Sequence, residues 1–60
     1  MNPMKAEQFK IRSEVLTVVI PESKYELIKN KIWKFQCDAN FQFTMLERFV
    51  TLNGGWIKDF

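Results

Sequence analysis

The sequence predicts an α+β fold, a small β-α-β-β domain in which one amphipathic helix packs on an antiparallel sheet. Three observations carry this prediction. Apolar residues alternate with polar ones ahead of Pro21, they recur at helical spacing after it, and Asn53 and Gly54 separate two apolar runs near the end of the chain. Alternation is typical of strands, recurrence at three and four residues is typical of helices, and Asn-Gly favours a β-hairpin. Residues 1–60 are expected to form a single domain.

The first strand is predicted over residues 9–20. Phe9 and Ile11 alternate with basic residues, and residues 15–20 are apolar and rich in β-branched side chains, as strands are. The phase of the alternation slips by one residue around Ser13 and Glu14. Such a slip sends side chains to the opposite face, so we expect a bulge, a bend or a tight turn there. Residues 1–8 are expected to be a short helix or a frayed terminus.

A helix is predicted from about Pro21 to Phe35 or Gln36. Proline is accepted in a first helical turn, and Ser23 with Glu26 has the form of a capping box. The residues expected to form one apolar face of this helix are Tyr25, Ile28, Ile32 and Phe35. Their spacing is the strongest secondary-structure signal in the chain.

Residues 41–52 admit two interpretations. In the first they form a strand, Asn53 and Gly54 form a type I′ turn, and the chain returns as a last strand that includes Trp56 and Ile57. The residues that would share one face of that first strand are Phe41, Phe43, Met45 and Phe49. This interpretation gives the β-α-β-β order.

In the second interpretation residues 41–52 form a helix, which gives a β-α-α order. Asn40 or Asp38 would be its N-cap and Gly54 its C′ residue. The residues of its apolar stripe would be Phe43, Leu46, Phe49 and Val50.

Composition argues against an enzyme. The chain has no histidine and a single cysteine, Cys37, so neither a zinc site nor a thiol paired with an imidazole base can be assembled. Gly54 and Gly55 lack the frame of a phosphate-binding loop. We expect no cofactor, no metal and no small-molecule substrate, and we expect Cys37 to be a small buried hydrophobe.

Charge and hydropathy bound the environment. The formal net charge is +2, with acidic and basic residues interleaved, so a nucleic-acid partner is not favoured. The longest apolar run, residues 15–20, is too short to span a membrane. A lone thiol suits a reducing compartment, so we expect a cytoplasmic protein.

Residues 16–23 followed by 25–28 resemble the strand and first-helix entry of ribbon-helix-helix repressors. The resemblance covers about two-thirds of the chain in its β-α-α interpretation. It implies a dimeric DNA-binding repressor whose paired strands lie in the major groove, with Lys10, Arg12 and Thr17 as candidate DNA contacts. Val15 and Val19 stand where that family places polar base-reading side chains, which favours the protein-binding alternative.

The preferred function is therefore a small protein-binding module that inhibits or regulates a larger protein. By analogy alone, small compact phage proteins that act on host machinery have this profile. Nine aromatic residues are more than so small a core easily hides. The candidate partner-binding residues are Trp33, Trp56, Ile57 and Phe60. They would form an exposed patch for a protein partner or a second copy. In the alternative, Trp33 packs under a neighbouring segment while Trp56 and Phe60 close the core.

Overall fold

Residues 3–59 are described by the computed structural model of the chain, which confirms the predicted α+β class with an antiparallel sheet. The elements are β1 (Met4–Ile11), β2 (Glu14–Pro21), α1 (Tyr25–Gln36), α2 (Phe43–Leu52) and β3 (Trp56–Ile57). A 3₁₀ turn, Glu22–Lys24, connects β2 to α1. The order along the chain is therefore β-β-α-α-β, with two helices where the preferred interpretation had one.

A hairpin of β1 and β2 replaces the single predicted first strand. The strands pair over all eight residues of each, from Met4 opposite Pro21 to Ile11 opposite Glu14. The predicted break in phase is a two-residue turn, in which Arg12 has a φ of 59°. The expectation of a helix or a frayed end over residues 1–8 is wrong for residues 4–8, because pairing with β2 outweighs their weak helix propensity. Residues 1 and 2 lie outside the described residues.

The helix α1 has the predicted apolar face. Ile28, Ile32 and Phe35 are buried and Tyr25 is half-buried. The predicted start is wrong, because the chain after Pro21 first makes the 3₁₀ turn. The capping box is not formed either, since no side chain caps the first turn of α1.

The strand interpretation of residues 41–52 is wrong and the helix interpretation is correct. Gly54, with a φ of 86°, follows the helix end, and its N–H donates to the Thr51 carbonyl at 3.1 Å. The Gly55 N–H donates to the Val50 carbonyl at 3.0 Å, which completes a Schellman motif. An I′ turn and a Schellman motif both require positive φ, so Asn53-Gly54 suited either structure.

The proposed N-caps of α2 are not used. Gln42 occupies the cap position, and no side chain caps the helix. The Asp38 carboxylate instead accepts a hydrogen bond from the Asn40 N–H at 2.9 Å, within the loop that joins the helices.

The short strand β3 joins the free side of β2, where Ile57 lies opposite Val18 and Trp56 opposite Val19. The sheet order is β1-β2-β3, and both helices cover one face of it. The core between the sheet and the helices consists of Ile11, Leu16, Val18, Ile20, Ile28, Ile32, Phe35, Phe41, Leu46, Val50 and Ile57. Cys37 is exposed at the end of α1, so the expectation that it is buried is wrong.

Tyr25 fastens α1 to the edge of the sheet. Its hydroxyl donates to the Glu7 carboxylate, at 2.8 Å to Oε2 and 3.0 Å to Oε1. The Lys5 ammonium lies 4.4 Å from the centre of the Tyr25 ring. The hydrogen bond to Glu7, then burial and the charges of Glu7 and Glu26, raise the pKa of Tyr25.

The backbone at Gly55 lies close to Val19, and this approach generates a prediction. A Cβ at this position would overlap the Val19 carbonyl oxygen and would lie 3.1 Å from Val50 Cγ1. Gly55→Ala should lower the free energy of unfolding by about 2–3 kcal/mol in denaturant titrations. Gly54→Asn is the matched control. It should lower the free energy of unfolding by less than Gly55→Ala does, because asparagine tolerates positive φ. Equal unfolding midpoints for Gly55→Ala and the parent would contradict the packing.

The tyrosine titration gives a second prediction. Tyr25 is the single tyrosine, so phenolate absorbance reports this residue alone. A raised pKa means that the folded chain holds the phenol proton more tightly than the unfolded chain. The stabilisation is thus complete below the ordinary value of 10.0 and is lost as the pH rises through the folded-state pKa. Glu7→Gln should return the titration towards the ordinary value, and an unshifted titration in the parent would refute the contact.

Candidate protein-binding groove

The helix α2 has apolar residues on two sides. Leu46 and Val50 are buried and belong to the core. Met45, Phe49 and Leu52, spaced at i, i+4 and i+7, form a second stripe along the helix. Met45 is 40% exposed and Leu52 is 79% exposed, while Phe49 is half-buried. No element within residues 3–59 covers Met45 or Leu52, whereas Phe49 contacts Phe35 of α1.

The second stripe forms one wall of a groove between α1 and α2. The groove has a volume of about 460 Å³. Its lining residues are Lys31, Phe35, Gln42, Thr44, Met45, Arg48, Phe49 and Leu52. Phe35 and Phe49 meet edge to face with ring centres 6.5 Å apart. Phe35 lies on the α1 side of the groove and is also part of the core. The packing that stabilises the fold therefore also fixes the position of this side of the groove.

The groove carries positive charge and no carboxylate. Lys31 and Arg48 line it, and none of the acidic residues does. The Lys31 ammonium lies 5.1 Å from the centre of the Phe35 ring and 5.7 Å from that of Phe49. Contacts of this kind hold a cation beside an apolar surface without neutralising it. The arrangement suits an occupant with an apolar side and acidic flanks.

The predicted aromatic patch is not assembled. Trp33 is 66% exposed on the outer side of α1, so the alternative that it packs under a neighbouring segment is wrong. Ile57 belongs to the core and cannot contact a partner. Successive strand residues point to opposite faces, so Trp56, 49% exposed, lies on the sheet face away from the helices. Phe60 lies outside the described residues.

The uncovered side of the sheet brings Trp56 together with Lys10 and Thr17. We call this side, which neither helix covers, the open sheet face; its residues are Met4, Ala6, Gln8, Lys10, Val15, Thr17, Val19, Pro21 and Trp56, of which Val19 and Pro21 are buried. Lys10 is exposed and Thr17 is half-buried. Arg12 lies at the hairpin tip instead, where its guanidinium is 5.5 Å from the centre of the Phe41 ring.

The ribbon of a ribbon-helix-helix dimer cannot be formed by β2. Its whole length pairs with β1, and Val18 and Val19 pair with β3 on the other side. Along the middle of this strand the described residues leave no unpaired edge for a dimer mate, because β1 lies on one side and residues 56–59 on the other. The β-α-α order of residues 14–52 matches that interpretation, but the preceding and following strands occupy the positions that the ribbon needs.

The chain was also compared with known proteins, and its described residues with the requirements of metal sites and membrane spans. Comparison with protein-family models, curated proteins and solved structures finds no match to this chain. Within residues 3–59, no three acidic or thiol side chains converge as metal ligands would. Neither described helix has the length and apolar character needed to cross a membrane.

Sequence reasoning missed the groove because it treated Met45 and Phe49 as one strand face. The helical alternative contained the signal, since residues 45, 49 and 52 are apolar at spacings of four and three. The contribution of Lys31 depends on how α1 lies beside α2, which no local pattern fixes.

The two stripes of α2 should respond differently to substitution. Leu46→Ala removes a fully buried side chain and should lower the free energy of unfolding by about 2–5 kcal/mol. Leu52→Glu replaces a solvated side chain and should change the free energy of unfolding by less than about 0.5 kcal/mol. Chemical denaturation of the two variants checks this, and a large loss for Leu52→Glu would place that residue in the core.

Proposed function

We propose that the protein is a non-enzymatic binding module that holds an acidic amphipathic helix of a protein partner in the groove between α1 and α2. The observation that carries the proposal is an open, partly apolar groove between α1 and α2 that Lys31 and Arg48 line and that no carboxylate lines. Met45 and Leu52 are exposed next to each other in this groove, and neighbouring exposed apolar side chains in a groove are a feature of binding sites.

The shape of the groove favours a helix as the occupant. Met45, Phe49 and Leu52 extend over two turns of α2, so the apolar surface is elongated. Amphipathic helices bind such grooves with residues at i, i+3, i+4 and i+7. A bound helix would complete a three-helix layer, since its apolar side would pack between α1 and α2.

The charge of the groove favours acidic flanks on that helix. A carboxylate beside Lys31 or Arg48 would meet a cation with no acidic neighbour in the groove. Complementary charge raises the association rate and discriminates against basic partners. A nucleic acid fits less well, because it offers no continuous apolar side for Met45 and Leu52.

Regulation or inhibition of the partner would follow from occupancy, because a helix held in this groove is unavailable to its other contacts. A cytoplasmic location is part of the proposal, since the exposed thiol of Cys37 stays reduced there. The repressor alternative is not retained, because β1 and β3 occupy both edges of β2 at Val18 and Val19, in the middle of the strand that would form the ribbon.

Two synthetic helices test the proposal. Both carry leucines at i, i+3, i+4 and i+7, one with glutamate flanks and the other with lysine flanks. The glutamate peptide should bind at least about tenfold more tightly in calorimetric titrations, and added salt should narrow the difference. Leu52→Glu should weaken its binding about tenfold, because a carboxylate would occupy the apolar wall.

The charge preference provides the decisive control. Arg48→Glu should abolish the preference for the glutamate peptide, because one cation and one carboxylate would then line the groove. Trp33→Ala, exposed and outside the groove, should leave both affinities unchanged. Equal affinity of the parent protein for the two peptides would refute the proposal. A preference for the glutamate peptide that Arg48→Glu leaves unchanged would refute it as well.

A further inference from the structure

The outer edge of β1 is an unpaired strand edge. The sheet order is β1-β2-β3, so β1 (Met4–Ile11) has a hydrogen-bonded neighbour on one side only in the described chain. It is eight residues long, and it contains neither a proline nor a bulge. Strands of this kind readily pair with another chain, and proteins commonly shorten, bend or interrupt them to prevent it.

The register shows which backbone groups face outward. Thr17 lies opposite Gln8, but its carbonyl accepts from the Lys58 N–H and its N–H donates to Asp59 Oδ2, both at 2.8 Å and both on the β3 side. Thr17 and Gln8 are therefore a non-hydrogen-bonded pair, and the N–H and C=O of Gln8 point away from β2. The backbone N–H and C=O groups also point away from β2 at the other alternate positions of β1, which are Met4, Ala6 and Lys10.

One end of this edge is already occupied. The Gln36 side-chain amide donates to the Lys10 carbonyl at 2.6 Å, which supports the outward direction of these groups. No hydrogen bond within residues 3–59 reaches the outward groups of Ala6 or Gln8. The available edge is thus the first half of β1, centred on Ala6.

We propose that β1 pairs antiparallel with β1 of a second copy of this chain, with Ala6 on the two-fold axis. Ala6 of each copy would exchange its backbone hydrogen bonds with Ala6 of the other. In this register Lys5 of each copy lies opposite Glu7 of the other, and Met4 lies opposite Gln8. The two sheets would join into one sheet of six strands.

Charge selects this register over its neighbours. Lys5 and Glu7 point to the same side of the sheet as Tyr25, which contacts both. An axis at Ala6 produces two identical Lys5–Glu7 pairs, and directly opposed unlike charges stabilise a sheet. An axis at Glu7 would place the two carboxylates opposite each other, and an axis at Lys5 would oppose the two ammonium groups.

The same argument favours a second copy as the occupant. An isologous interface needs a surface that is complementary to itself. The segment Lys5-Ala6-Glu7 meets this requirement, because a two-fold axis at Ala6 places the basic residue of each copy opposite the acidic residue of the other. The open sheet face does not, because Lys10 is its only charged residue and a second copy adds only like charge. The groove stays accessible, since Gln36 and Tyr25 lie towards β1 whereas Lys31 lines the groove.

Backbone blocking is the first test. Sedimentation of the 7.2 kDa chain over a concentration series should show a monomer–dimer equilibrium. Ala6→Pro should weaken dimerisation about tenfold or more, because it removes one outward N–H per copy without removing a β1–β2 hydrogen bond. Ala6→Val keeps the N–H and should still dimerise. A parent that is monomeric at millimolar concentration, or Ala6→Pro that dimerises like Ala6→Val, would overturn the proposal.

Charge exchange tests the register. Lys5→Glu and Glu7→Lys should each weaken the dimer, because each places like charges opposite one another, and the double variant should recover it. Circular dichroism of every variant checks that the fold is retained. In a Cys37→Ser background, Ala6→Cys should form a disulfide dimer more readily than Glu7→Cys. Preferential cross-linking of Glu7→Cys, or a double variant weaker than both single ones, would exclude the axis at Ala6.

Discussion

The pairing of β2 on both of its edges is the constraint on which the other elements depend. The strand hydrogen-bonds to β1 along its length and to β3 at Val18 and Val19, while its inner side chains begin the core. Both helices pack on those inner side chains. Gly55 lets the chain after α2 approach the Val19 backbone closely enough to add β3. A side chain at that position would separate the last strand from the sheet and expose Ile57.

A core built on one side of β2 determines what remains exposed. The helices each contribute one buried stripe, Ile28 with Ile32 on α1 and Leu46 with Val50 on α2. The elements within residues 3–59 form no third layer that covers the rest. The open sheet face and the second stripe of α2 are therefore uncovered for the same reason. Only the stripe of α2 lies in a concave surface, because the neighbouring helix supplies an opposite wall.

The sequence correctly predicted the elements whose residue pattern fits one kind of secondary structure. The prediction was wrong where the same pattern fits two kinds. The α1 stripe and the strand over residues 15–20 have a single periodicity, and both were correct. Asn53-Gly54 fits a hairpin turn as well as a helix end, so its neighbours on either side decided the outcome. Residues 4–8 became a strand through pairing with β2, and Ile57 became buried through pairing with Val18. The groove likewise required knowledge of how the two helices lie together.

The two proposed interactions, through the groove and through the outer edge of β1, lie on opposite sides of α1 and would reinforce each other. Pairing through β1 would place two grooves on one rigid sheet, each with its own Lys31 and Arg48. A partner that carries two acidic helices, or that is itself a dimer, would then bind its second helix at a high effective concentration. The affinity of a single small groove need not be high for such a complex to be stable. Monomeric partners would gain nothing from the second groove, so dimerisation would select for partners with repeated helices.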